Sequence, residues 1–420
     1  MKTERIQTIV IGGGQAGLTM SHCLTKHGQP HVVLERYRIA ERWRTERWDS
    51  LRFQFPNWAM ALPDFAYAGN DPNSYAPRDD VVRFIEAYAA FIRAPVRTGV
   101  EVRALRQAPD GFMLDTGDTI IEARNVVIAT GPYQQPSIPA EASRLDGVLQ
   151  ISASGYRNPD QLPPGGVLVV GSGASGCQIA EELMSAGRSV YLSVSPHRRA
   201  PRRYRGQDII WWITQFGLDN RLTDATNVRQ PPMLISGANG GHTVDLRAFA
   251  ASGMVLVGRL QDAVDGVVSF ASDLEHNLAA GDATYAAFIR AADAHTGHTL
   301  PEEAGDVVQT GSVIDPIQTL DLRAAGIGTI IWATGYRYNF NWVDLDVFGG
   351  PADRAPQHQA PKHQRGVTNV PGIYVLGLPF LHKAKSSFLS GVGDDAAYLA
   401  EQITLRTNNN ETSIPGEFRP

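Results

Sequence analysis

The sequence predicts an α/β protein of two dinucleotide-binding units, one inserted into the other. Three observations carry that expectation. The pattern GxGxxG occurs twice, at Gly12, Gly14 and Gly17 and again at Gly171, Gly173 and Gly176. Each copy follows an apolar run and precedes a helical pattern, the strand–turn–helix order that cradles a pyrophosphate. Two further apolar runs end in the same corner, Ala129-Thr130-Gly131 and Ala333-Thr334-Gly335. The chain has 420 residues, too many for one ordinary core. Each unit is expected to be a Rossmann-like three-layer sandwich. The first takes residues 1–160 and 321–420, and the inserted second takes 161–320.

In the first copy, Val10-Ile11 closes a strand and a helix runs from the glycines to about Lys26. "PHVVLER" is the next strand and ends at Glu35. Gly12 permits the tight turn, Gly14 leaves room for a pyrophosphate, and Gly17 lets helix and strand pack closely. The helix start offers N–H groups and a positive dipole end to phosphate. Glu35 stands where a carboxylate accepts hydrogen bonds from ribose hydroxyls. Gln15 and Ala16 in the turn and Arg36 beside Glu35 complete the expected set. It suits an adenine dinucleotide with a free ribose, FAD or NAD.

The second copy differs downstream. "VLVV" leads into Gly171-Ser-Gly173-Ala-Ser175-Gly176, and "SVYLSVS" is the following strand. The position matching Glu35 is Val194, and Ser195, Arg198 and Arg199 come next. A carboxylate would repel a ribose 2′-phosphate, whereas hydroxyl and guanidinium groups hold one. The second unit is therefore expected to bind NADPH, with Arg198 or Arg199 on the extra phosphate. Such a pairing places a nicotinamide against a flavin, which passes electrons on two at a time.

The bulk properties bound the rest. The chain is 43% hydrophobic and 19% charged, as in soluble globular proteins. A net charge of −5 argues against general nucleic-acid binding. No apolar run is long enough to span a membrane, and the start lacks signal-peptide design, so the expected location is the cytoplasm. The only cysteines, Cys23 and Cys177, lie far apart and form no CxxC pair, which argues against a disulfide framework or a thiol–metal site. His242, His276, His295 and His298 are scattered and form no ligand set. "NVPGIYVLGLPF" reads as a late buried strand with a turn at Gly377, and the glycines at 391 and 393 precede a helix. The segment 206–310 is the least legible, with one helix candidate in "DLEHNLAAGDATYAAFIRAADAHTG".

With two GxGxxG loops, two Ala-Thr-Gly corners and Tyr336 after the second, the chain resembles the flavin-dependent monooxygenase superfamily. That group includes flavin-containing and Baeyer–Villiger monooxygenases, and the resemblance is weakest over 206–310. It implies FAD and NADPH as cofactors and O2 and a small organic molecule as substrates. One oxygen atom would pass from a flavin C4a-hydroperoxide, to soft nitrogen or sulfur or, in a Baeyer–Villiger reaction, to a ketone. An NADPH oxidase or dehydrogenase without productive oxygen transfer is the competing reading. A nucleic-acid or membrane partner is not expected, and a homodimer is left open.

The superfamily signature F-x-G-x-x-x-H-x-x-x-Y/F is altered here. Gly147 is kept, Leu145 replaces Phe, Ile151 replaces His, and the aromatic shifts to Tyr156. Disulfide reductases of the same fold would need CxxC and a Gly-Asp where Gly377-Leu378 stands. Asn57 resembles the asparagine that, in flavin-containing monooxygenases, sits over the flavin ring and donates to its oxygen adduct. A turn asparagine beside Pro56 is the plain alternative. Trp43, Trp48, Phe53, Phe55 and Trp58 cluster around it. Core packing is expected for most, and a flavin or substrate pocket for some, Trp43 among them.

Overall fold

The computed structural model describes residues 2–222, 231–296, 316–348 and 358–411. The chain opens with β1 (Lys2–Ile11), α1 (Gln15–Lys26) and β2 (His31–Glu35). Ala16, Met20 and Leu24 recur at helical spacing and are buried, and Leu18, Thr19, Ser21 and Cys23 are buried as well, so α1 is enclosed on nearly all sides. β1 pairs in parallel with β2, Thr8 opposite His31. After α2 (Arg78–Phe91), β3 (Val96–Thr98) extends this edge beyond β2. An antiparallel meander follows, β4 (Ala104–Ala108), β5 (Gly111–Asp115) and β6 (Thr119–Ile128), and β6 returns alongside β1 in parallel.

The second unit repeats the opening motif. β7 (Leu149–Ser152), β8 (Gly166–Val170), α3 (Ala174–Ser185), β9 (Val190–Ser193) and β10 (Val255–Val257) follow in order. α4 (Leu274–Thr296) is the helix expected in the otherwise obscure segment. β11 (Ile327–Trp332) then lies between β7 and β8 in an all-parallel five-stranded sheet of order β7-β11-β8-β9-β10. Its central strands read as unbroken apolar runs, because both faces are covered. Leu168, Val169, Ile330 and Ile331 are wholly buried.

The chain then returns to the first sheet through β12 (Val343–Asp344) and β13 (Ile373–Val375), and α5 (Val392–Glu411) packs on α1. Two strands depart from the division drawn at residues 160 and 321. β7 and β11, assigned on sequence to the first unit, are hydrogen-bonded into the second sheet. β11 has parallel partners on both sides only there. The connectors between the units meet each other, Tyr336–Arg337 pairing antiparallel with Gln135–Pro136.

Candidate active site

The first glycine turn is shaped by backbone collisions. Gly12 has φ +117°, and a Cβ on it would sit 2.6 Å from the Ala129 carbonyl oxygen. A Cβ on Gly17 would strike the Gly12 carbonyl oxygen at 1.8 Å. Gly14 is different, since its Cβ would meet nothing within 4 Å. Two glycines are thus demanded by the protein itself, and the middle one faces open space. That open face at a helix start is a cradle for a phosphate.

Around the cradle, Glu35 is held by two backbone donors. Gly13 N donates to its Oε2 at 2.7 Å and Tyr37 N to its Oε1 at 2.9 Å. Gln15 and Ala16 face the protein. Gln15 Nε2 donates to the Ser387 carbonyl at 2.7 Å, and Ala16 is buried against Gly377, whose φ is +77°. These contacts fasten the start of α1 to the segment after β13. Gln134 Nε2 donates to Thr130 Oγ1 and to the Gly131 carbonyl, fixing the first corner beside the turn. Arg36 lies exposed over the Tyr37 ring. Trp43 is half-buried, with Phe53 on one side and Arg47 over it.

The second turn reproduces the first. Gly171 has φ +105°, and its Cβ would lie 2.6 Å from the Ala333 carbonyl oxygen. A Cβ on Gly176 would strike the Gly171 carbonyl oxygen at 1.9 Å, and one on Gly173 would meet nothing within 4 Å. Ala333-Thr334-Gly335 therefore stands to Gly171 as Ala129-Thr130-Gly131 stands to Gly12. This corrects the placement of the 333–335 corner in the first unit, because β11 ends beside the second turn. The corner is tied onward through the Ser137 carbonyl, which accepts from Thr334 Oγ1. Tyr336 packs edge-on against Tyr133. Ser175 is exposed on the first turn of α3. Ser172 Oγ accepts from Ser195 N at 2.9 Å, so Ser195 lies against the turn.

The arginines after Ser195 divide. Arg199 is 3% exposed and bonded to Asp245 at 2.5 Å and Asp282 at 3.1 Å, with its guanidinium over Tyr285. Its charge is consumed inside the second unit, and the expectation that it reads a phosphate is withdrawn. Arg198 is half-buried and donates from Nε to the Pro231 carbonyl at 2.9 Å. Burial lowers its pKa from the ordinary value.

Sequence reasoning missed Arg202. It forms a fork onto Asp208 at 2.9 and 3.1 Å, and donates to Tyr75 Oη and to the Gln54 carbonyl. This buried arginine locks the second unit onto the segment 52–75. The one local hint is Asp208, six residues downstream.

That segment carries Asn57, which is 8% exposed at the start of a short 3-10 turn. Its Nδ2 donates to the Asp71 carbonyl at 2.8 Å, an arrangement that fixes the orientation of the amide. Its Oδ1 is buried and has no partner among the described residues. Trp48 and Phe53 are core residues, while Trp58 is 43% exposed. Phe55 packs edge-on against Phe388, 5.0 Å between centroids. Ala384 N and Lys385 N donate to Arg221 and Asp219 carbonyls of the second unit. The segment 384–388 thus touches both 219–221 and Phe55 and joins the two units there.

Two positions of the altered signature belong to the core, while Gly147 is exposed and Ile151 half-buried. Leu145 and Tyr156 are buried, and Tyr156 donates to Glu182 at 2.9 Å. Cys23 and Cys177 are free and buried. Burial raises both thiols, that of Cys23 to about 11, so neither is a ready thiolate nucleophile. Among the described residues no group of His, Cys, Asp and Glu is placed to hold a metal, and no helix is long and apolar enough to cross a membrane. His298 lies outside the described residues.

Comparison with known proteins agrees with this geometry. The model of the pyridine nucleotide-disulphide oxidoreductase family matches residues 9–221. An uncharacterized CzcO-like oxidoreductase of Geobacillus kaustophilus is 32% identical over 403 residues, covering 95% of this chain and 98% of that one. A flavin-containing monooxygenase from Stenotrophomonas maltophilia superposes with a TM-score of 0.66 at 18% identity, over 96% of this chain and 99% of that one. OTEMO, solved in complex with FAD and NADP, superposes with a TM-score of 0.55 at 16% identity, over 96% of this chain and 86% of that one. The two structural likenesses show a shared fold. The chain belongs to the pyridine nucleotide-disulphide oxidoreductase family and is an oxidoreductase with the two-unit fold of flavin monooxygenases.

Proposed function

We propose that the chain is an NADPH- and O2-dependent flavoprotein monooxygenase that transfers one oxygen atom to a small organic substrate at soft nitrogen or sulfur. FAD belongs at the first turn and NADPH at the second. The observation that carries this reading is the pair of matched cradles, open at Gly14 and Gly173 and followed by different strand ends. Glu35 ends one strand, and Ser195 with Arg198 ends the other. Residues 1–160, apart from β7, and 336–420 then form the flavin unit.

A bound flavin supplies two-electron transfer and activation of O2; the side chains supply position and dryness. Each Glu35 oxygen already accepts one backbone N–H and retains a further acceptor direction for a ribose hydroxyl. Arg198, three residues after Ser195, is the arginine assigned to a 2′-phosphate. Asn57 keeps a second N–H and its unpartnered Oδ1 for a group bound beside it. Phe55, packed edge-on against Phe388, supplies apolar surface beside Asn57. No acid–base pair is required.

The family name includes disulfide reduction, but both thiols here are buried and far from a CxxC arrangement. The test is to reduce the purified protein with NADPH, admit air and follow the visible spectrum. A long-lived species distinct from oxidised and reduced flavin, with substrate-dependent decay, supports oxygen transfer. Immediate return to oxidised flavin with stoichiometric hydrogen peroxide assigns the chain to the oxidases instead.

A further inference from the structure

We propose that the cavity between Trp58, Trp211 and Arg203 binds a small aromatic carboxylate. The cavity has a volume of about 350 Å³, within the range of small-molecule sites. Its apolar walls are indoles. Trp58 is unusually exposed for its size, and its backbone N is anchored to the Pro72 carbonyl at 3.0 Å. Trp211 stands edge-on to the buried Trp212 at 5.0 Å, on a short helix (Ile209–Gln215) capped by Asp208. Two anchored indoles hold an aromatic ring by burial and by edge or face contact.

The polar end is Arg203. Its Nη2 makes two long contacts, 3.4 Å to the Asn73 carbonyl and 3.3 Å to Tyr75 Oη. Among the described residues no carboxylate pairs with it. Asp208 also lines the cavity, but its charge is already matched. It accepts from Arg202 in a fork, from Tyr75 Oη at 2.6 Å and from Ile210 N. The uncompensated charge at the mouth is therefore positive, and a planar guanidinium suits a carboxylate in a two-bond fork. Pro56 and Trp58 both line the cavity, which puts it beside Asn57. Aromatic acids that carry a soft nitrogen or sulfur are accordingly the substrate class, with phenylacetate as a binding probe; that step rests on the monooxygenase reading, whereas the binding itself does not.

The experiment is calorimetric titration of the oxidised, flavin-loaded protein with phenylacetate in the absence of NADPH. Phenylacetamide keeps the ring without the charge, and acetate keeps the charge without the ring. Saturable binding of phenylacetate is expected, with both analogues weaker by about tenfold or more. Arg203→Gln should weaken phenylacetate by about tenfold, and Arg203→Lys should restore part of the loss. Arg203 is exposed and loosely held, so these variants fold. No heat at millimolar phenylacetate, or equal affinity in Arg203→Gln, overturns the site. Because no turnover is involved, such a failure is distinct from a failure to transfer oxygen, which the air-oxidation experiment reads.

Discussion

Arg199 Nη2 donates to Asp245 Oδ2 across 2.5 Å, in a site where Arg199 is only 3% exposed. Asp245 in turn caps the helix Leu246–Ala251 by accepting from Arg247 N and Ala248 N. Removing the guanidinium would leave buried acid without its partner. Arg199→Ala should destabilise the protein by about 3–5 kcal/mol, measured by denaturant unfolding.

Arg198 should behave oppositely. Its substitution by Ala is expected to raise KM for NADPH well above that for NADH, with little change in the unfolding midpoint. Initial-rate kinetics with both nucleotides checks this. Equal effects on the two nucleotides would remove Arg198 as the reader of the 2′-phosphate.

Gly171 tests the backbone reading of the second turn. Its φ of +105° and the 2.6 Å approach to Ala333 O leave no place for a methyl group. Gly171→Ala should cost about 1–3 kcal/mol in denaturant unfolding. Gly173→Ala, whose Cβ meets nothing, should stay within about 0.5 kcal/mol.

His242 supplies a pH dependence. It lies 2.9 Å from Glu181, and that carboxylate raises its pKa above the ordinary 6.5. A raised folded pKa means the contribution is complete below the unfolded value and is lost as pH rises through the folded value. The stability difference between wild type and His242→Gln should therefore be larger near pH 6 than near pH 8. Unfolding midpoints at the two pH values give the answer, and a difference that grows with pH would contradict the pairing.

The two glycine turns were legible because their chemistry is local. Glycine spacing, strand and helix all fall within about thirty residues. Helix α4 was legible from its periodicity alone. The corner at Ala333 was legible as a strand end but not as a neighbour of Gly171. Strand pairing is set by partners such as Leu149–Ser152, far away in sequence, and nothing in "GTIIWATG" names them. Arg199 and Arg202 were invisible as structural residues for the same reason. Exposed and buried arginines look alike in "SPHRRAPRRYR", and Asp245 and Asp282 lie on other elements. Asn57 was legible as a residue of interest, while its bond to Asp71 and its unpartnered oxygen emerged only from the fold.

The division of labour between the two cradles is tested most directly by comparing Gly14→Val with Gly173→Val. Both positions are extended and sterically open, so a side chain there meets a bound pyrophosphate and not the protein. The measurement is flavin content of each purified variant together with its rate of flavin reduction by NADPH. Gly14→Val should emerge depleted of flavin. Gly173→Val should keep its flavin and lose reduction by NADPH while remaining reducible by dithionite. Flavin loss in Gly173→Val with retention in Gly14→Val, or normal NADPH reduction in both, would contradict the assignment of the two sites.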